Sequence, residues 1–206
     1  MNGLLGRRPI MVALAGPNGA GKSSFYTTYL RQSKLPFVNA DQLALQTGID
    51  AYTAADLAEE LRRALVEQKD SFIFETVFSD PVGAKLQFLK DAETNGYTVL
   101  LIFIGIDGPE TSEERVAMRV SKGGHDVPAN KIAQRYGRTM KNLQKALIEL
   151  SNIRVYDNSD LNRSYRLVAS RDEGKNVVIH PPTPKWLKPL LPSLAGPVRV
   201  PKRQVE

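Results

Sequence analysis

The chain has 206 residues, 42% hydrophobic and 24% charged, a length and balance that suit one globular domain and exclude disorder as a description of the whole. It has no cysteine and only two histidines, His125 and His180; this removes disulfides, thiolate metal sites and thiol catalysis, disfavours a multi-histidine metal site, and leaves a magnesium-like ion held by oxygen as the expected metal. The formal charge is +6, yet residues 181–206 carry five Lys/Arg against one acid, so residues 1–180 are nearly neutral at +2, and a general polyanion-binding surface is not expected.

From residue 9 to 180 short apolar runs alternate with amphipathic segments. The predicted class is therefore α/β, a mostly parallel sheet of about five strands flanked by helices. IMVALA at 10–15 reads as a buried strand. It is too short for a signal-peptide core, and no apolar run nears the roughly 18 to 20 residues of a membrane span, so a cytoplasmic location without membrane contact is the default expectation. A glycine-rich turn follows, with a helix over 23–31 and a short second strand over 37–39. Thr53 and Asp56 suggest the start of a helix over 54–68, with Leu57, Leu61, Ala64 and Leu65 facing inward. A third strand is placed at 72–74. Asp80 and Pro81 read as N-cap and first turn of a helix stopping near Asn95 and Gly96.

YTVLLIFI at 97–104 is the strongest strand signal. After Pro109 a helix carries Arg115 and Arg119 and breaks at Gly123 and Gly124. Another runs over 128–150 on Ile132, Tyr136, Leu143, Leu147 and Leu150. A fifth strand is expected at 153–156, and 166–169 with 177–179, separated by Asp172, Glu173 and Gly174, read as a hairpin added at one sheet edge. Residues 181–206 hold seven of the thirteen prolines and form a basic tail rather than long helices or strands. Trp186, Leu187, Leu190 and Leu191 are expected to pin it to a 1–180 domain, with the end past about 195 mobile.

Gly16-Pro17-Asn18-Gly19-Ala20-Gly21-Lys22-Ser23 fits the Walker A pattern in full, between an apolar strand and a helix. Its glycines let backbone N–H groups turn toward phosphate oxygens, the helix start that includes Ser24 adds partial positive charge, Lys22 reaches the β/γ phosphates, and Ser23 supplies a hydroxyl to Mg²⁺. The expected cofactors are ATP, or GTP, with Mg²⁺.

In a parallel sheet the strand ends carry the ligand site, which singles out Asp41 and Glu75. Asp41 is the candidate general base, or else a cap for a helix over 42–45. Glu75 is the candidate for positioning substrate or magnesium, or else a strand-end ion pair. Residues 113–141 hold seven Lys/Arg against three acids around the glycine corner, which resembles a lid over 110–141. Arg115 with Arg119 and Arg135 with Arg138 share helix faces. Arg119 and Arg135 suit phosphate contact, whereas Lys122, Lys131 and Lys141 read as a solvated face.

The phosphate loop, NAD at 39–41, FETVFS at 74–79 and RVAMRVSKGGHDVPANKIAQRY at 115–136 together resemble the zeta toxin family of P-loop kinases over about residues 9–160. The resemblance implies ATP-dependent phosphorylation of a sugar hydroxyl of UDP-N-acetylglucosamine, with Lys22 and Ser23 for ATP and magnesium. It also implies Asp41 as base, Glu75 and Thr76 for substrate, Arg119 as a lid arginine, and an antitoxin protein as a candidate partner. Arg135 is the choice for the second lid arginine. Rival readings are a metabolic kinase of another sugar or nucleotide and a nucleic-acid-linked ATPase or polynucleotide kinase; the near-neutral body disfavours nucleic acid.

Overall fold

A computed structural model describes residues 2–121 and 128–193. Lys122, Gly123, Gly124 and His125, the corner of the expected lid, lie outside the described residues, as does the tail past 193. A short helix α1 (Asn2–Leu5) leads into β1 (Ile10–Ala15), which occupies the middle of a sheet because all six of its residues are apolar and buried. The remaining strands are β2 (Phe37–Val38), β3 (Phe72–Thr76), β4 (Thr98–Gly105), β5 (Ile153–Asp157), β6 (Arg166–Arg171) and β7 (Val178–Ile179). Their order is β2-β3-β1-β4-β5-β6-β7; the first five are parallel, and β6 and β7 add the expected antiparallel edge.

Alternation along β1 divides the core between the two faces. Met11, Ala13 and Ala15 join Phe74, Leu101, Leu143 and Leu147 on one side, while Ile10, Val12 and Leu14 join Phe25, Leu30 and Ile102 on the other. The helices are α2 (Lys22–Phe25), α3 (Ala40–Thr47), α4 (Ala51–Glu67), α5 (Ala84–Thr94), α6 (Gly108–Val120) and α7 (Ala129–Glu149).

Three local expectations change. The helix predicted over 23–31 starts at Lys22 and is α-helical only to Phe25, then widens into a π turn at Tyr26–Leu30, where Tyr26 stacks on Phe37 at 3.7 Å between ring centroids. Asp50, not Thr53, caps α4 by accepting from the Tyr52 and Thr53 N–H groups. The buried stripe of α4 is Ala54, Ala58 and Arg62, while Leu57 and Leu61 are exposed at 42% and 39%; small residues let α4 lie close to its neighbours, those two leucines are left outside, and Leu65 packs partly buried against the core as expected. Finally, Asp80 and Pro81 belong to a loop. Gly83, at φ 77°, caps α5, and both Asp80 carboxylate oxygens are buried with no partner among the described residues. The proline-rich segment packs on the body as expected: Trp186, Leu187 and Leu190 are buried, and Leu191 partly so.

Candidate active site

The loop between β1 and α2 is held by its carbonyls. The Ser112 hydroxyl donates to Asn18 O at 2.5 Å, the Asn158 amide to Ala20 O at 2.8 Å and the Tyr165 hydroxyl to Gly21 O at 2.9 Å. Lys22 Nζ donates to Gly16 O and Pro17 O at 3.0 and 3.1 Å. With these oxygens engaged by the protein, the N–H groups of the loop and of the start of α2 that have no partner among the described residues, those before Phe25, are left to bind oxyanions. Gly16 has to be glycine twice over: its φ is +144°, and a Cβ there would sit 2.2 Å from Ile104 O. Ser24 hydrogen-bonds with the Tyr165 phenol.

Lys22 is 7% exposed. Burial pulls its ammonium below the usual lysine range, Glu75 and Asp41 oppose the shift, and Arg119 adds to it, so all three charges act on one nitrogen. Glu75, at the end of β3, is bound tightly to this group. Its Oε2 accepts from Ser23 Oγ at 3.0 Å and from Asn39 Nδ2 at 2.8 Å, and its Oε1 lies 3.7 Å from Lys22 Nζ. A hydroxyl and a carboxylate side by side are the oxygen donors a hard divalent cation takes, so the residues present fit Mg²⁺.

Asn39 also caps α3 by accepting from Gln42 N–H at 2.9 Å. Capping of that helix is therefore done by Asn39, and Asp41 stands exposed in its first turn. Asp41 and Asn39 form the wall between two clefts. The larger, about 650 Å³, is lined by Ser23, Tyr26, Arg31, Phe37 and Arg119 among others. The smaller, about 280 Å³, is lined by Arg62, Glu75, Thr76, Val77 and Lys85 among others. Arg119 thus lines the larger cleft. Arg135 is half-buried on α7 and lines neither cleft. Arg115 donates to Ser159 O and Arg138 to Ser79 O, so both have structural engagements.

The Zeta toxin family model matches residues 38–169, more than half of the chain. The chain belongs to the zeta toxin family. The matched stretch begins past the phosphate loop, so the loop is an independent feature of the same chain. An uncharacterized protein of Haemophilus influenzae is 28% identical over 127 residues, 59% of this chain and 88% of that one. Among solved structures, the AvrRxo1-ORF1:-ORF2 complex with ATP superposes with a TM-score of 0.64 at 18% identity, over 82% of this chain and 60% of that chain. The PezAT chromosomal toxin–antitoxin system of Streptococcus pneumoniae gives a TM-score of 0.53 at 19% identity, over 80% and 72%. This zeta toxin family member therefore spans less than two thirds of the AvrRxo1 chain, and the likeness is one of fold.

Thr76 is placed beside Glu75, where its hydroxyl accepts from Phe78 N–H at 3.0 Å. From there, α7 holds the loop after β3 by four consecutive carbonyls: Thr139 donates to Val77 O, Asn142 to Phe78 O and Asp80 O, and Arg138 to Ser79 O. The sequence reading missed Ser112, Asn158, Tyr165 and Asn142. For Asn158 a signal existed, since it directly follows β5, and the strand-end rule that found Asp41 and Glu75 applies there too.

Proposed function

We propose that this zeta toxin family member transfers the γ-phosphoryl group of ATP, or of GTP, to a hydroxyl of a small acceptor, with UDP-N-acetylglucosamine or a related UDP-sugar as the acceptor. The observation that carries the reading is that Ser23, Asp41 and Arg119 line one cleft beside the phosphate loop, while Glu75 joins Ser23 at 3.0 Å to Lys22 at 3.7 Å behind it. Asp41 takes the proton of the acceptor hydroxyl as its oxygen bonds to the γ-phosphorus, the bridging P–O bond breaks, and the nucleoside diphosphate leaves. Lys22 follows the charge that builds on the β and γ oxygens. Ser23, with Glu75 beside it, would hold Mg²⁺, which would add to the neutralisation of the phosphates. Thr76 and Glu75 place the acceptor, and Arg119, aided by Arg135, closes over the γ-phosphoryl from a lid spanning 110–141.

The same reading treats residues 1–180 as the catalytic domain and 181–206 as its tail, acting in the cytoplasm. No helix among the described residues is long and apolar enough to cross a membrane. Two of the fold neighbours are a toxin–antitoxin system and a two-protein complex, which supports an antitoxin protein as the partner to look for. Incubating the full chain with ATP, Mg²⁺ and a panel of UDP-sugars and nucleosides tests the proposal. One acceptor should gain the mass of one phosphoryl group; hydrolysis of ATP with no acceptor modified would sink it.

A further inference from the structure

The smaller cleft contains a cation that the reaction above does not use. Arg62 projects from α4 with its side chain only 9% exposed. The guanidinium carries five N–H donors, yet among the described residues none makes a hydrogen bond. The nearest carboxylate oxygen, Glu59 Oε2, is 3.7 Å away, beyond hydrogen-bond distance. Glu59 is already engaged, with Arg63 at 2.7 Å on one oxygen and Lys85 at 2.8 Å on the other. Phe74 offers its ring 5.2 Å from Arg62 Cζ, which favours the cation but satisfies no N–H.

Burying an arginine without hydrogen bonds is expensive, and burial does pull this guanidinium below its ordinary range, with Glu59 only partly opposing the shift. Its nitrogens are not sealed in the core, since none is among the fully buried unpartnered atoms. Arg62 lines the cleft whose wall carries Asp41, Glu75 and Thr76, and on its other side a hollow bordered by Glu59, Arg63, Lys85 and Phe88. A planar donor fork and the candidate base lining one cleft is the arrangement that orients a doubly functional molecule.

We infer that Arg62 is an acceptor-recognition residue whose guanidinium binds an oxyanion group of the acceptor, phosphate or carboxylate, while the hydroxyl to be phosphorylated lies at Asp41. The inference rests on the proposed kinase reading and adds one contact to it: a UDP-sugar already carries an oxyanion group, and Arg62 is the residue that takes it, so an acceptor stripped of that group is a poor substrate. Arg62 is then a specificity residue on α4, a helix to which the sequence assigned only a packing role.

The test uses the full chain carrying Lys22→Ala, so that the phosphate loop competes less for anions, with the arginine Nε–H resonances followed by NMR. The Arg62 signal is identified by its loss in Arg62→Lys. Inorganic phosphate and acetate are titrated separately. Saturable movement of the Arg62 signal with phosphate alone assigns a phosphorylated acceptor, and movement with acetate alone a carboxylated one. If neither anion moves it, the inference is overturned. In the otherwise wild-type chain, Arg62→Met should raise the KM of an anionic acceptor roughly 10- to 100-fold with kcat largely kept, and Arg62→Lys, which keeps the charge but not the fork, should fall between. Failure of the kinase reading looks different: no acceptor is phosphorylated, yet the Arg62 signal still saturates with anion.

Discussion

The Glu75 carboxylate holds the Ser23 hydroxyl at 3.0 Å, joining the end of β3 to the start of α2 at the point where a nucleotide's metal ion would sit. Glu75→Gln removes the charge while keeping size and hydrogen-bonding capacity. We expect it to move the Mg²⁺ dependence of turnover to higher concentration and to lower kcat, with the fold intact. A variant with an unchanged Mg²⁺ titration would reduce Glu75 to an ion pair that braces Lys22.

Lys22→Ala should reduce phosphoryl transfer by about 10²- to 10³-fold, the scale of losing one preorganised charge from the transition state, with a melting temperature close to wild type. The pH dependence follows from the same residue. Burial lowers the Lys22 pKa from its usual 10.5, and the protonated form is the one that pairs with phosphate. ATP affinity should therefore fall as pH rises, beginning below the pH at which an ordinary lysine titrates. The stability of the unliganded fold moves the other way across that window, because the unfolded chain keeps its proton longer. Calorimetric ATP titration at a series of alkaline pH values checks the first, and denaturant melts check the second.

Asp41→Asn separates a base from a bystander. Since Asn39 already caps α3, losing the Asp41 charge should leave stability within about 0.5 kcal/mol, as for an exposed site. Turnover should collapse while ATP binding persists. Normal steady-state turnover in this variant would leave Glu75 as the remaining candidate base.

Arg119→Ala should slow kcat more than it weakens ATP binding, because a lid residue acts mainly on the charge of the transferring group. Arg119 lines the cleft and Arg135 does not, so Arg135→Ala should have the smaller effect. Equal losses in kcat would mean that the lid closes further than the described residues place it.

Asn142→Ala is the stability counterpart. One side chain, 4% exposed, donates to both Phe78 O and Asp80 O, so truncation leaves two carbonyls short of a donor and opens a small cavity. A loss of roughly 2 to 4 kcal/mol is expected, read by urea denaturation. A far smaller loss would mean that water replaces the amide.

The central half of the fold was legible because it rests on local signals: six consecutive apolar residues at β1, a complete phosphate-loop pattern, and strand ends that place Asp41 and Glu75. The errors arose where tertiary contacts outweigh local pattern. Asp50 caps α4 although Thr53 and Asp56 looked like the start, and the α4 stripe turned toward Ala54, Ala58 and Arg62 because α4 packs by close approach of small residues. Tyr165 and Asn158 could not be assigned to the phosphate loop by pattern, since they reach Gly21 and Ala20 from more than 130 positions away. The π turn at Tyr26–Leu30 likewise leaves no periodic trace in five residues.

Trp186 is the single tryptophan of the chain. It lies against Gly105, where a Cβ would come within 2.2 Å of its ring, and its indole N–H donates to Asp157 Oδ1 at 2.9 Å. Asp157 is the residue before Asn158, whose amide grips the phosphate loop. The protein therefore carries its own fluorophore, buried and hydrogen-bonded one residue from the loop's anchor, and its emission needs no label to report whether the proline-rich segment stays docked. A red shift without loss of far-ultraviolet dichroism would mark the segment leaving the body while the sheet remains whole.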